Sequence, residues 1–207
     1  MKIEKFVLGP VGTNCHIVLN ETSKECFLVD MAACPPELIS HIRKEELSVK
    51  AVLITHGHFD HIMGLDELLK VYPVPVYVCE KERELITNPE LNSSLSMLGR
   101  RYAFDGAQYV KDMDTLEIAE MKIRVIETPG HTCGGCCYYL LEEGVLFSGD
   151  TLFRGSVGRT DLPTGSMNTL VRSVEDRLFV LPDETRVYPG HMEETTIGYE
   201  KKYNPFF

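Results

Sequence analysis

Histidine and aspartate side chains are concentrated in one short stretch of this chain. Residues 56–61 read HGHFDH and directly follow the apolar run at residues 52–54. A strand that ends in a turn can direct alternate side chains toward one point, so imidazoles and a carboxylate two residues apart can converge on neighbouring cations. A polar surface turn is the alternative interpretation of such a stretch. Metal binding is favoured because the same design recurs downstream.

Three later segments repeat this design. Each has an apolar strand and a tight turn with Gly before a potential ligand, and they end at His131, Asp150 and His191. Glycine lets the backbone turn sharply beneath a ligand, and loops at strand ends commonly carry functional residues. Five of the seven histidines lie in these four segments. The other two, His16 in a strand-like run and His41 in a helical stretch, are interpreted as packed or solvated residues outside the site.

Composition predicts a single-domain enzyme of the cytoplasm. With 207 residues and 43% apolar content, the chain can bury one large core, and we expect one domain over residues 1–207. No apolar run is long enough to span a bilayer, and the first residues lack a secretory signal, so no membrane partner is expected. The net charge of −10 disfavours nucleic acid as a partner, because binding to phosphates needs clustered Lys and Arg.

The seven cysteines indicate a reducing compartment, because their number is odd and their spacing is not that of a small disulfide framework. Four are predicted to be buried small hydrophobes: Cys15, Cys26, Cys34 and Cys79. Residues 133–137 read CGGCC, and a C-x-x-C pair is typical of redox sites or of half a zinc site. Because no second such pair exists, mostly packed thiols are favoured, with Cys133 the candidate for a functional thiol.

The predicted elements alternate between strands and helices. Residues 3–8, 14–20 and 25–30 predict an antiparallel meander, and 35–47 predict a helix with Pro near its start. Asp60 and His61 are expected near a helix N-terminus, because apolar residues recur at helical spacing after them. Further strands are predicted at 51–55, 74–79, 107–111, 115–119, 122–128, 136–141, 144–149 and 184–189, helices at 80–100 (interrupted near 88–89) and 167–178, and a loop at 153–166.

The histidine and aspartate residues of these segments together carry a family resemblance. The stretch HGHFDH, followed in order by His131, Asp150 and His191, resembles the metallo-β-lactamase fold superfamily, whose signature is H-x-H-x-D-H plus His, Asp and His. Every ligand position is filled. The resemblance implies an α/β fold, the αβ/βα four-layer sandwich, in which two β-sheets pack face to face with helices outside. The metal site would lie at one edge, where strand-end loops meet.

The resemblance also implies a ligand set for two metals. By the family pattern, the first metal would be bound by His56, His58 and His131, the second by Asp60, His61 and His191, and Asp150 would bridge them. Two zinc ions are expected, with iron or manganese as alternatives. Imidazole suits zinc, and two metals about 3.5–4 Å apart can share a hydroxide.

Hydrolysis of a carbonyl compound is the reaction that such a centre implies. Water bound to catalytic zinc has a pKa of about 7, so hydroxide is present at neutral pH. Asp60 is expected to be catalytic, orienting that hydroxide for attack on the carbonyl carbon. A thiolate leaves without much help from an acid, so a thioester is the expected substrate class.

Residues 149–161 narrow the resemblance to short, glyoxalase II-like bacterial hydrolases, relatives of hydroxyacylglutathione hydrolase. The zinc β-lactamases of the common classes carry Cys where this chain has Asp150, and flavodiiron-type reductases carry Glu where it has His58, so both are disfavoured. Full-length glyoxalase II enzymes carry a C-terminal helical domain. Only a short segment follows His191, so we expect no such domain here, and a glutathione site built differently.

Candidate substrate contacts are identified by their position near the ligand-bearing segments. Phe59, Phe153 and residues 91–101 are candidates by position for closing over a small-molecule thioester or ester. Arg154 and Arg159 could meet an anionic substrate, although Arg159 is favoured as a structural ion pair with the nearby Asp161. The aromatic residues near the C-terminus make a homodimer an alternative to a monomer.

Alternatives with the same ligands remain open. A mononuclear iron persulfide dioxygenase would use His56, His131 and Asp150, because two histidines and one carboxylate leave open coordination positions for dioxygen. A lactonase or another ester hydrolase is a third reading. Purely structural metals are disfavoured because structural zinc sites are usually closed and rich in thiolates. The acidic composition counts against the tRNA-processing nucleases of the superfamily.

Overall fold

A computed structural model describes residues 1–207 and contains fourteen strands and seven α-helices. The strands are β1 (Lys2–Leu8), β2 (Thr13–Leu19), β3 (Glu25–Val29), β4 (Ser48–Ile54), β5 (Val76–Cys79), β6 (Ala107–Val110), β7 (Thr115–Ile118), β8 (Met121–Glu127), β9 (Cys136–Leu140), β10 (Val145–Gly149), β11 (Leu152–Phe153), β12 (Ser156–Val157), β13 (Arg186–Pro189) and β14 (Thr195–Thr196). The helices are α1 (Pro36–Lys44), α2 (Phe59–Ile62), α3 (Leu65–Val71), α4 (Arg83–Thr87), α5 (Ser94–Leu98), α6 (Met167–Ser173) and α7 (Ile197–Tyr203).

The strands form two six-stranded sheets and one short hairpin. The first sheet has the order β1-β2-β3-β4-β5-β6, and the second has the order β14-β13-β10-β9-β8-β7. In the first sheet, β1, β2 and β3 are antiparallel, as the predicted meander requires, whereas β3 through β6 run parallel. In the second sheet, only β10 and β13 are parallel neighbours. The hairpin consists of β11 and β12.

Side chains that alternate between the two faces of each sheet form three apolar layers. Successive strand residues point to opposite faces of a sheet. In β4, Ala51 and Leu53 face the core between the sheets, whereas Val52 packs toward α1 and α3. In the second sheet, Val125 faces the core between the sheets, and Ile126 packs toward α6. The architecture is therefore helix, sheet, sheet, helix, which confirms the predicted αβ/βα sandwich.

Strand β4 reads as a continuous apolar run because both of its faces are covered. From Ala51 to Ile54 every residue is buried. Such runs are typical of parallel strands with helices on one side and a second layer on the other. The strand begins at Ser48, earlier than the predicted Ala51, because Val49 also packs into the core.

Two regions differ from the elements that the sequence predicts. The helix expected over 80–100 is broken into a 3₁₀ turn at Glu80–Glu82, then α4 and α5, and the interruption does lie near Pro89. The expected loop at 153–166 contains β12 and half of β11, which are two-residue strands joined through Gly155 at φ +66°. Strands this short show no alternation, so periodicity cannot reveal them.

The C-terminal segment forms a helix that the sequence analysis did not assign. Helix α7 begins after Thr196, whose side chain accepts a hydrogen bond from the backbone N–H of Tyr199. A threonine at this position satisfies one of the free donors at the helix start. No helix in the structure is both long enough and apolar enough to pass through a membrane.

The two sheets approach each other closely at the edge where β4, β8, β10 and β13 end. The Cys136 N–H donates to the Thr55 carbonyl at 2.9 Å and joins the second sheet to the loop after β4. Gly149 adopts φ +50°, and a Cβ there would collide with Thr55 Oγ1. Glycine is required at this position because it allows both the positive φ and the close approach.

Candidate metal centre

All seven predicted ligands lie together at this edge of the sandwich. His56 and His58 lie in the loop after β4, and Asp60 and His61 lie in the first turn of α2, as predicted. His131 follows β8, Asp150 follows β10 and His191 follows β13. Each ligand is therefore held at the end of a buried strand, or one turn beyond it.

The first group consists of three histidines whose ring nitrogens face one point. His131 Nε2 lies 2.9 Å from His58 Nδ1 and 3.2 Å from His56 Nε2. His131 Nδ1 contacts the Arg159 carbonyl at 2.7 Å, which assigns the ring proton to Nδ1 and leaves a lone pair on Nε2. A single lone pair directed at two other imidazoles is the arrangement expected around a cation.

The second group combines Asp60, His61 and His191. Asp60 Oδ2 lies 3.4 Å from His61 Nε2 and 3.2 Å from His191 Nε2. The ligand atoms of this group, like those of the first, all lie within 4.8 Å of one another. A carboxylate and two imidazoles are ligands that suit zinc, iron and manganese.

Asp150 lies between the two groups and faces both. Its Oδ1 is 3.5 Å from His61 Nε2, and its Oδ2 is 3.6 Å from both His131 Nε2 and His191 Nε2. Asp150 therefore contacts residues of both groups, and its carboxylate would be available to a cation held by either one.

Three observations indicate that these residues fit metal ions. His61 Nε2 and Asp150 Oδ1 are buried atoms without a hydrogen-bond partner. Buried polar atoms are normally satisfied, and a shared cation would satisfy both. The ring nitrogens are separated by 2.9 and 3.2 Å. Around a tetrahedral metal with bonds to nitrogen of about 2.0–2.1 Å, two ligand nitrogens are about 3.3 Å apart, which is similar.

The two groups differ in their electrostatics. Burial lowers the pKa of His58 to about 3, and it holds the pKa of His56 far below its usual range with help from neighbouring imidazoles. Burial also opposes the charged form of His61, but the carboxylates of Asp30, Asp60 and Asp150 outweigh it and raise its pKa to about 10. His56 and His58 thus offer neutral imidazoles, whereas the carboxylates around His61 favour positive charge at that ring.

Asp30 supports both the loop after β4 and α2, although the sequence analysis did not identify it. Its Oδ1 accepts the N–H of Thr55 at 2.9 Å, and its Oδ2 lies 2.9 Å from His61 Nδ1. A carboxylate behind a ligating histidine fixes the ring orientation and increases its basicity. The available signal was an acidic residue directly after the buried strand β3.

Two further contacts hold ligands in place. Thr13 Oγ1 donates to Asp60 Oδ2 at 3.0 Å, so the start of β2 orients this carboxylate. The backbone at Gly158 passes directly beside Asp150 and His131, and a Cβ there would overlap the Asp150 carbonyl. Both residue types are too common in sequences to be recognised as ligand supports without the fold.

The centre opens into a cavity of about 350 Å³. It is lined by Val11, His58, Phe59, Asp60, Ser93, Met97, His131, Asp150, Phe153, Ser156, Val157, Arg159, Leu162, His191 and Met192. The expected covers Phe59, Phe153 and the segment 91–101 therefore all reach the cavity. Arg159 also lines it, and its guanidinium pairs with Asp161 at 2.7 Å, as favoured by the sequence.

Arg154 is the substrate candidate that does not line the cavity. Its guanidinium lies 3.3 Å from Glu193 and over the ring of Tyr199. The two outlying histidines also stay away from the site. His16 is buried against Phe147 and Tyr188, and His41 pairs with Glu4 at 2.6 Å.

The cysteines form no metal group of their own. Cys136 and Cys137 are buried in β9, and Cys133 is exposed outside the cavity lining with its Sγ 3.4 Å from the Lys81 carbonyl. Burial raises the pKa of Cys137 to about 11. Of the four cysteines predicted to be buried, only Cys34 is half-exposed.

Comparisons with known proteins agree with this architecture. A model of the family described as the metallo-beta-lactamase superfamily matches residues 8–191. A probable metallo-hydrolase of Streptococcus pyogenes serotype M6 is 37% identical over 214 residues, covering 100% of this chain and 90% of the relative. The hydroxyacylglutathione hydrolase GloC of Haemophilus influenzae is 30% identical over 208 residues, covering 100% of this chain and 98% of the relative.

Two solved structures are similar over nearly the whole chain. The BLEG-1 B3 metallo-beta-lactamase is 38% identical with a TM-score of 0.94, covering 99% of both chains. TTHA1623 in a di-iron-bound form is 34% identical with a TM-score of 0.87, covering 99% of this chain and 100% of that one. The cluster in this chain and the two irons of that neighbour together support a dinuclear metal site.

Replacing Asp150 by Ala is expected to lower the metal content of both groups. The parent chain should hold about two metals after dialysis, and the variant fewer than about one, because each group loses the carboxylate that both share. Elemental analysis of the dialysed proteins measures this. Asp183→Ala, which removes an exposed carboxylate paired with Lys201, is the matched control. An unchanged metal content in Asp150→Ala would refute the shared position.

Replacing Asp30 by Asn is expected to weaken metal binding about 10-fold to 100-fold. The amide keeps the shape of the side chain but removes the carboxylate behind His61. Metal retention against increasing chelator concentrations measures the change. Asp105→Asn, at an exposed position, controls for the loss of one negative charge. Retention equal to that of the parent would show that Asp30 serves only the fold.

Proposed function

The chain belongs to the metallo-beta-lactamase superfamily, and we propose that it is a dinuclear metal-dependent hydrolase of small thioesters such as a hydroxyacylglutathione. The observation that carries the proposal is the position of Asp150, which faces two complete groups of ligands at the floor of a cavity. A mononuclear centre of His56, His131 and Asp150 would leave the other four clustered residues without a metal to bind: His58, Asp60, His61 and His191. The similarity to a probable metallo-hydrolase supports the assignment of this chain as a metal-dependent hydrolase.

When bound, two metals supply an acidified water at neutral pH and a Lewis acid for the substrate carbonyl. The residues of the chain supply orientation. Asp60 Oδ2 accepts a hydrogen bond from Thr13 Oγ1 at 3.0 Å. Asp60 Oδ1 accepts no hydrogen bond, and the residue lines the cavity. We assign to Asp60 Oδ1 the acceptance of the proton that the attacking water releases.

The cavity wall favours a leaving group that needs no general acid. Among the lining residues there is no lysine or tyrosine, and Arg159 is engaged with Asp161 at 2.7 Å. An amine leaves only when it is protonated, whereas a thiolate is stable enough to leave as an anion. A thioester therefore does not require a lysine or tyrosine donor in the wall, which supports a thioester over an amide as the substrate.

The residues around the cavity opening indicate how the part of the substrate outside the thioester is bound. Val11, Met97 and Met192 line the cavity and are 47%, 53% and 60% exposed. Exposed apolar groups around a cavity favour contact with apolar parts of a ligand. We therefore assign substrate binding to apolar contacts around the opening, with Phe153 on the wall, rather than to Arg154.

The test is turnover of S-D-lactoylglutathione by protein reconstituted separately with zinc, iron and manganese, together with metal analysis. About two metals per chain with thioester hydrolysis is the expected result. A chromogenic β-lactam is included because of the similarity to BLEG-1. Oxygen consumption with glutathione persulfide at about one iron per chain, without thioester hydrolysis, would instead identify the dioxygenase.

Replacing Asp60 by Asn is expected to reduce kcat for the thioester by about 10²-fold to 10⁴-fold. The amide keeps one oxygen toward the second group but no longer accepts a proton. Steady-state kinetics with metal analysis of the same sample separates loss of the proton acceptor from loss of metal. Asp66→Asn, on the exposed face of α3, is the control. Near-normal turnover by Asp60→Asn would remove Asp60 from the mechanism.

A further inference from the structure

Glu82 is a fully buried carboxylate that does not line the cavity. It lies at the end of the 3₁₀ turn Glu80–Glu82, directly after β5, with 0% of its surface exposed. A buried carboxylate is costly unless hydrogen bonds compensate the loss of water. Its hydrogen-bond partners therefore show what the residue does.

Both carboxylate oxygens accept backbone N–H groups of ligand-bearing loops. Oε2 accepts the Gly57 N–H at 2.7 Å, and Oε1 accepts the Gly134 N–H at 2.7 Å. Gly57 stands between His56 and His58, and Gly134 follows His131 by three residues. These three histidines are the whole first group. One side chain thus joins the two loops that carry it.

The two glycines permit this close approach. A Cβ at Gly134 would lie 2.6 Å from the backbone N of Glu82, and a Cβ at Gly57 would lie 2.9 Å from the Leu85 side chain. The turn and the start of α4 therefore press against both loops. Lys81 adds an ion pair to Glu127, at the end of β8, with a separation of 2.6 Å. The turn is thus tied to the strand that precedes His131.

We infer that Glu82 is the positioning residue of the first metal group, because its two oxygens set the separation between the loop of His56 and His58 and the loop of His131. The inference rests on the proposed metal centre. The ring nitrogens of the two loops are 2.9 and 3.2 Å apart, a separation that the backbone must hold before a metal enters. Glu82 itself contacts neither metal nor substrate.

The test compares zinc binding by Glu82→Gln with that of the parent. Glutamine has one acceptor oxygen, and its NH₂ group must face a backbone donor, so one of the two links breaks. We expect at least one of the two zinc dissociation constants to rise about 10-fold to 100-fold, measured by competition with a chromophoric chelator. A His191→Ala background, which removes a ligand of the second group, assigns the change to the first.

Glu200→Gln is the matched control for loss of a buried carboxylate. Glu200 is also 0% exposed, and it accepts the Gly155 N–H at 2.9 Å, away from the first group. The metal-free melting temperatures of both variants measure the general loss of stability. Zinc constants that change equally in both variants would assign the effect to stability and overturn the inference.

Glu82→Asp separates the effect of position from that of charge. It also replaces Glu82→Gln in the test if the Gln variant does not fold. Aspartate keeps the negative charge but lacks the reach to hold both loops. We expect zinc binding to weaken as in Glu82→Gln. Parental affinity in Glu82→Asp would overturn the positioning role. A parent that binds no zinc would refute the metal centre itself, whereas a parent with about two zincs and unaffected Glu82 variants would refute this inference alone.

Discussion

The structure depends on holding three carboxylates, those of Asp30, Asp60 and Asp150, and five imidazoles in one cluster at a single edge of the sandwich. Lone pairs and negative charges this close repel unless protons, cations or fixed donors lie between them. The chain meets the constraint with rigid supports: Asp30 behind His61, Thr13 on Asp60 and the Arg159 carbonyl behind His131. Each support comes from a different element. The two sheets therefore have to be docked before the cluster can be assembled.

The candidate ligands could be predicted from patterns that are local in the sequence, whereas the sandwich was predicted only through the family resemblance that those residues carry. The stretch HGHFDH follows a buried strand, and the later His and Asp residues each follow an apolar run and a glycine. The layers themselves became visible only in the structure, where successive residues of β4 and β8 pack into different apolar clusters and α6 covers the second sheet. Boundaries were less accurate at β4, where packing of Val49 extends the strand.

The supports could not be predicted because their partners are distant in the sequence. Glu82 is 25 residues from Gly57 and 52 residues from Gly134, and nothing in its local pattern distinguishes it from a solvated glutamate. Asp30 reads as an ordinary residue after a strand. The hairpin β11–β12 is too short for any periodicity, and α7 contributes buried Glu200, which a sequence pattern would place on the surface. Tertiary packing decides each of these positions.

The distances along the chain between residues of the centre have a consequence for folding kinetics. The pairs His56 with His131 and Asp60 with His191 are separated by 75 and 131 residues. Contacts between residues so far apart in the sequence form only after long loops have closed, so their formation is slow. During synthesis, a nascent chain that has not yet released β13 lacks His191 and cannot complete the second group. Completion of the second group is therefore a late event, which has to wait until nearly the whole chain is available for folding.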